Sequence, residues 1–79
     1  MKATEKQQVL EIEKGWYKPN DKDAMTYNQL EFIMSLMSDD NVEGWDFNSK
    51  SNAMRSISKS DASDIIDALQ AGQKVVIVG

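Results

Sequence analysis

Two segments of the chain carry hydrophobic residues at the spacing of an amphipathic helix. The first segment opens at Thr26, and Gln29 three residues later completes the pattern of a capping box. Its apolar stripe consists of Leu30, Ile33, Met34 and Met37, widened by Phe32 and Leu36. This pattern predicts a helix over 27–38.

The second segment has an equally complete helix start. Ser58 is the predicted N-cap, and Asp61 lies in the first turn, where a negative charge suits the helix dipole. The apolar stripe that follows is Ala62, Ile65, Ile66 and Leu69. Gly72 then supplies the residue type that most often closes a helix. We therefore predict a helix over 59–70 that packs with the first one as a two-helix hairpin core.

The two ends of the chain carry strand signals. Residues 74–78 are apolar and mostly β-branched, as in a strand that is buried on both faces. The segment 9–13 alternates at its end as a half-buried strand does, and it is the best candidate partner. A capping-box pattern at 4–7 supports the competing interpretation of 5–14 as a helix. The predicted fold class is small α+β, with all-α as the alternative.

The same C-terminal strand suggests a way for the chain to self-associate. The run from Val75 to Val78 is apolar, and an exposed apolar strand edge invites pairing with a second copy. A homodimer through this run is therefore a further prediction.

Between the predicted helices, 39–52 is polar and rich in turn-forming residues. Trp45 and Phe47 are its bulky apolar residues, so we expect both to fold beneath the loop and cap the helical core. The start of this segment resembles a calcium-binding loop. Its twelfth position, however, is Lys50, where such a loop requires a bidentate glutamate. We therefore expect no metal ion, and nothing in the sequence indicates a cofactor.

Gly15 to Pro19 is a predicted turn with two adjacent aromatic residues, Trp16 and Tyr17. A small domain needs its aromatic residues for burial, which favours a place in the core. If the pair is displayed instead, it has the composition of a hot spot for a protein partner.

Length and composition limit the function. The chain has 79 residues, enough for one small domain spanning 1–79, and it contains neither cysteine nor histidine. Their absence removes thiolate nucleophiles, disulfides and imidazole acid–base catalysis. No glycine-rich phosphate loop or nucleophile–base pair replaces them, so we expect no enzyme. No apolar run is long enough for a membrane span or a signal peptide, which predicts a cytoplasmic protein without membrane contact.

Charge is segregated along the sequence. Residues 23–48 contain no lysine or arginine, and we call this segment the acidic block; its acids are Asp23, Glu31, Asp39, Asp40, Glu43 and Asp46. Residues 49–60, the basic stretch, contain Lys50, Arg55 and Lys59 and no acid. Each segment is a candidate binding surface, because separated charges steer partners. The simpler interpretations are a solvated face for the acidic block and an interhelical linker for the basic stretch.

Two pieces of the chain together carry a family resemblance. The run T-Y-N-Q-L-E-F-I-M-S-L at 26–36 and the run I-S-K-S-D-A-S-D-I-I-D-A-L at 57–69 resemble a short helix–loop–helix segment. That segment recurs at the ends of phage and bacterial proteins, several of them involved in DNA metabolism. The less generic matching positions are Gln29, Ala62 and Ser63. The resemblance implies a fold and a cellular setting, and it implies no reaction.

In size, charge and lack of catalytic residues, the chain is also similar to small early proteins of large phages that infect Gram-positive bacteria. This similarity implies a non-enzymatic modulator that binds and alters a protein of host nucleic-acid metabolism, in the host cytoplasm if the chain is phage-encoded. Its expected contact residues are Asp39, Asp40, Glu43, Asp46, Trp16 and Tyr17. The alternative is binding of RNA or single-stranded DNA through Lys50, Arg55, Lys59 and Trp45.

Overall fold

The computed structural model of the chain describes residues 9–18, 21–38 and 40–79. Three strands and three helices follow one another in these ranges. In chain order they are β1 (Val9–Glu13), α1 (Tyr27–Leu36), β2 (Val42–Glu43), α2 (Lys50–Ser56), α3 (Lys59–Gln70) and β3 (Lys74–Val78). The predicted α+β class is confirmed, and the all-α alternative is wrong.

The strands form one parallel sheet in the order β1-β3-β2. β1 pairs with β3 along its full length, from Val9 beside Lys74 to Glu13 beside Val78. The predicted pairing of 9–13 with 74–78 is therefore confirmed. The helical interpretation of 5–14 is wrong for Val9–Glu13, and the part of it before Val9 lies outside the described residues.

β3 lies in the centre of the sheet, and this position bears on the predicted homodimer. β1 pairs with all five of its residues on one side, and β2 pairs with Val75 and Val76 on the other. Pairing with β1 and β2 thus occupies both sides of Val75 and Val76, whereas Ile77 and Val78 pair with β1 alone. The homodimer through this run stays a prediction.

The helices cover one face of the sheet. Ile12, Val75 and Ile77 point into the core from that face. The helices add the other buried apolar side chains, namely Leu30 and Ile33 from α1, Ala53 from α2, and Ala62, Ile65, Ala68 and Leu69 from α3, while Met25 and Ile57 come from the connections. Alternate residues of the strands point to the opposite face, which we call the open face. It carries Val9, Glu11, Glu13, Glu43, Lys74, Val76 and Val78.

The predicted caps are present at both long helices. The Thr26 hydroxyl accepts a hydrogen bond from the Gln29 N–H, and the Gln29 side chain accepts one from the Thr26 N–H, each at 3.1 Å. Gln29 Nε2 also donates to the carbonyl of Lys59, which links the starts of the two helices. Ser58 accepts from the Asp61 N–H at 3.0 Å, and the helix ends before Gly72, which has a positive φ. The prediction of 59–70 is confirmed.

α1 ends at Leu36, two residues before the predicted end. Met37 adopts an extended conformation, and the Asn41 side chain supplies a competing set of hydrogen bonds. Its amide nitrogen donates to the Leu36 carbonyl, and its oxygen accepts from the Ser38 N–H at 2.7 Å. These two hydrogen bonds end the helix, because they satisfy the Leu36 carbonyl and the Ser38 N–H.

The segment between the long helices is more structured than the sequence indicated. β2 and α2 both lie within it, and Ser49 caps α2 by accepting from the Asn52 N–H. The interpretation of the basic stretch as a linker is therefore wrong for Lys50–Ser56. The predicted position of Trp45 and Phe47 is confirmed, because both rings pack against the core, edge to face with centroids 4.9 Å apart.

Candidate functional site

Trp16 is the most exposed large hydrophobic residue of the described ranges, with 66% of its surface accessible. Hydrogen bonds on both sides hold its backbone in place. The Gly15 N–H donates to the carbonyl of Ser56 at 2.8 Å, and the Tyr17 N–H donates to the carbonyl of Arg55 at 2.7 Å. The end of α2 therefore fixes a segment that displays an indole to solvent. The interpretation of Trp16 as a core residue is wrong, whereas Tyr17 is half-buried.

Arg55 joins this segment through its side chain as well. Its Nε donates to the carbonyl of Tyr17 at 3.0 Å, and its guanidinium lies 4.4 Å from the centre of the Trp16 ring. A planar guanidinium at this distance from an indole makes a cation–π contact. The positively charged and half-buried Arg55 side chain thus packs against the exposed Trp16 ring.

A groove of about 210 Å³ adjoins Arg55. Its lining combines apolar and charged side chains. The apolar ones are Ala24, Met25 and Met54, and the charged ones are Lys18, Asp21 and Arg55. The exposed indole and the groove are thus joined through Arg55. We call Trp16, Tyr17, Arg55 and this groove the aromatic–cationic surface.

The acids of the acidic block lie on several elements, and two of them form ion pairs. Glu31, on α1, accepts from Lys50 of α2 at 2.9 Å, and Glu43, on β2, accepts from Lys74 of β3 at 3.3 Å. Asp40 and Asp46 are exposed in the connection between α1 and α2, and Asp39 lies outside the described residues. Two acids of the block are thus neutralised locally by lysines from outside it.

The cations of the basic stretch are also dispersed. Lys50 contacts α1 through Glu31 and lies over the Tyr27 ring, whereas Arg55 contacts the Trp16 segment. Lys59 is exposed at the start of α3, where its N–H donates to the carbonyl of Asp23. Their contacts thus lie with three different parts of the chain, and Trp45 is half-buried against the core.

The Glu31–Lys50 pair shifts the protonation of both partners. Because Lys50 donates a hydrogen bond to the carboxylate, the pKa of Glu31 is lowered below its ordinary value. For the same reason the pKa of Lys50 is raised. Both side chains remain about half accessible, so the pair stays in contact with solvent.

The pairing of Trp16 with Arg55 is the feature that sequence reasoning missed. From the sequence, the two residues belong to competing hypotheses, Trp16 to a protein hot spot and Arg55 to a nucleic-acid patch. They are far apart in the sequence and meet because Gly15 and Tyr17 hydrogen-bond to the end of α2. The sequence feature that could have indicated a displayed side chain is the position of Trp16 within the turn-forming segment from Gly15 to Pro19.

The described part of the chain offers no assembled metal-binding group. No three acidic, histidine or cysteine side chains there converge on a metal position. No helix in those ranges has the length and apolar character needed to cross a bilayer.

Comparisons with models of protein families, with curated proteins and with solved structures found no match.

Proposed function

We propose that this chain is a non-enzymatic binding protein whose principal contact with its partner is the aromatic–cationic surface. The observation that carries the proposal is the exposure of Trp16 on a backbone segment that is hydrogen-bonded on both sides. A chain of this size has little apolar surface to bury, so leaving an indole in solvent forgoes stability. Burial against a partner offsets that cost.

The composition of the surface favours a protein partner. Tryptophan, tyrosine and arginine are the residue types enriched in binding hot spots. Here the side chains of Trp16 and Arg55 are in contact, and the Tyr17 carbonyl accepts a hydrogen bond from Arg55. These contacts are pre-organised, because hydrogen bonds already fix the Arg55 guanidinium and the backbone of Tyr17. A pre-organised hot spot loses less conformational entropy on binding.

The proposed partner is a protein of host nucleic-acid metabolism, bound by a small modulator of the kind that phages produce early in infection. The support for this partner is the sequence resemblance described above, and the surface itself supports only the mode of binding. Electrostatic mimicry of nucleic acid is no part of the proposal, since Glu31 and Glu43 are each paired with a lysine.

The test is affinity capture from a nuclease-treated lysate of a Gram-positive bacterium, with wild-type protein and two variants as bait. Trp16→Ala removes the exposed indole, and Phe32→Ala removes another exposed aromatic ring, which is 43% accessible and lies on α1. A protein retained by wild type and by Phe32→Ala, and lost with Trp16→Ala, supports the proposal. Equal retention by all three baits contradicts it.

Binding of single-stranded nucleic acid is a second candidate function, favoured by the exposed indole in contact with Arg55 and by Lys18, which lines the adjoining groove together with Arg55. Aromatic rings beside cations are the usual platform on which unpaired bases stack. An amide-resolved NMR titration with short RNA and single-stranded DNA tests it. Shifts at Trp16 and Arg55 that weaken as salt rises would support it, and unchanged spectra at low salt would exclude it.

A further inference from the structure

The outer edge of β1 pairs with no other strand among residues 9–18, 21–38 and 40–79, and it is separate from the contacts on which the proposed function depends. β1 pairs with β3 on one side, and the Lys14 N–H that follows it donates to the Val78 carbonyl at 2.8 Å. Backbone groups alternate between the two sides of a strand paired in parallel. The N–H groups of Leu10 and Ile12 therefore point toward β3, and those of Glu11 and Glu13 point away from it.

Those outward groups have no acceptor among the described residues, since no backbone bond there joins 9–13 to anything outside the sheet. Immediately after β1, the N–H groups on the same side of the backbone do have acceptors. There the Gly15 and Tyr17 N–H groups donate to carbonyls at the end of α2. The open stretch is thus the five residues Val9–Glu13, about the length of an average strand.

The side chains along this edge define the chemistry of a matching strand. Glu11 and Glu13 are exposed on the open face, and Val9 is 54% accessible beside them. In the part of the chain that the structure describes, neither glutamate forms a salt bridge, whereas Glu43 at the far side of the sheet is paired with Lys74. Leu10 and Ile12 alternate with the glutamates and point to the helix-covered face.

We propose that the outer edge of β1 binds an extended segment of a partner protein as a fourth strand. The segment carries lysine or arginine at alternate positions opposite Glu11 and Glu13, and apolar residues at the positions between. Main-chain hydrogen bonds to the outward N–H and C=O groups supply the pairing, as in other cases of strand addition. Cross-strand pairs of opposite charge add to the stability of the pairing and set the register.

Charge also argues against a second copy of this chain as the occupant. The antiparallel registers that overlap β1 most fully with itself are centred on Glu11 or on Ile12. The first places Glu11 opposite Glu11, and the second places Glu11 opposite Glu13. Like charges directly opposite one another destabilise a pair of strands. The edge therefore favours a basic segment from another chain over self-association.

The test uses a fluorescein-labelled heptapeptide of alternating lysine and valine as the probe. Two control peptides have alternating glutamate and valine, or the same lysines and valines arranged in two blocks. Anisotropy titrations should show saturable binding of the alternating basic peptide, and at least tenfold weaker binding of both controls. Hydrogen exchange followed by NMR should show fast exchange at the Glu11 and Glu13 amides in the free protein, and protection when the basic peptide is bound.

Three variants locate the contact. Glu11→Pro removes an outward N–H that the β1–β3 ladder does not use, a substitution that edge strands tolerate, and it should abolish binding. The double variant Glu11→Lys, Glu13→Lys keeps the backbone and should weaken binding at least tenfold, which keeps the test decisive if the proline variant fails to fold. Trp16→Ala, which alters the surface of the proposed function, should leave peptide binding unchanged.

Several results would overturn the inference. They are equal affinity for the basic and acidic peptides, wild-type affinity in the charge-reversed variant, and amides of Glu11 and Glu13 that are already protected in the free protein. None of these results bears on Trp16. The proposal for the β1 edge and the proposal for the aromatic–cationic surface are therefore tested independently.

Discussion

Single side chains in this protein often connect elements that are distant in the sequence. Gln29 completes the cap of α1 and also reaches the Lys59 carbonyl at the start of α3. Arg55 binds the Tyr17 carbonyl and supports the Trp16 ring. Such contacts give polar residues a positional role, and each can be tested by a single substitution.

The Glu31–Lys50 pair yields the first prediction. Lys50→Met removes the hydrogen bond that lowers the pKa of Glu31, so that pKa should rise toward its ordinary value of 4.5. An NMR titration of the Glu31 carboxyl carbon measures it. Lys59→Met removes a lysine that makes no contact with Glu31 and should leave the titration unchanged. A Glu31 pKa that does not move in Lys50→Met would show that Lys50 is not the cause.

The same pair sets a pH window for its contribution to stability. Because folding lowers the Glu31 pKa, its contribution is present above the ordinary glutamate value and is lost as pH falls through the folded-state pKa. Folding raises the Lys50 pKa. The contribution of Lys50 to stability is therefore present below the ordinary lysine value of 10.5, and it is lost as pH rises through the folded-state pKa. Wild type and Lys50→Met should therefore differ most in stability at neutral pH, and only slightly, since both groups remain exposed.

At the scale of elements, the capping box of α1 is the contact that the sequence indicated most directly. Thr26→Ala should lower the free energy of unfolding by about 1 kcal/mol, because it leaves the Gln29 N–H without its acceptor. Urea denaturation measures the change. Ser35→Ala is the matched control: its hydroxyl donates to the Phe32 carbonyl on the exposed face of the same helix, and its loss should change stability by under about 0.5 kcal/mol. Equal losses in both variants would contradict the role of the cap.

Two glycines with the same backbone angle provide a second comparison between elements. Gly44, after β2, and Gly72, after α3, both have φ of +82°. A Cβ at Gly44 would overlap the carbonyl oxygen of Ile77 in β3, whereas a Cβ at Gly72 meets nothing within 4 Å. Gly72→Ala should therefore cost about 1–2 kcal/mol for its backbone conformation alone. Gly44→Ala should cost clearly more in thermal or urea unfolding, and an equal cost would mean that the loop after β2 is free to move away from β3.

These elements also show where prediction from sequence succeeds and fails. Helices with complete local signals, such as Thr26 with Gln29 or Ser58 with Asp61, were found with their starts in place. α2 was missed because its seven residues bury little beyond Ala53, too few positions for a periodic pattern. β2 was missed because two residues carry no alternation, and it is a strand only through its pairing with β3. The Trp16–Arg55 contact depends on packing between distant segments, which no local pattern encodes.

At the scale of the whole molecule, the sheet joins the two ends of the described chain. β1 and β3 are its first and last elements, and β3 is the strand that pairs with both of the others. The helices lie on one face, so the sheet is parallel yet covered on a single side by the described residues. Parallel sheets are nearly always covered on both sides, which makes the open face unusual among folded domains.

Neighbouring valines of β3 test this one-sided arrangement. Val75 points into the core and is 0% accessible, whereas Val76 points to the open face and is half-buried. Both Val→Ala changes carry the same loss of strand propensity, so the difference between them isolates burial. Val75→Ala should lower the free energy of unfolding by about 2 kcal/mol, from lost apolar burial and the cavity left behind, and Val76→Ala by less than about 1 kcal/mol. Both follow from urea unfolding of the isolated chain. Equal losses would mean that the second face is covered as thoroughly as the first, and such a sheet would have no open face.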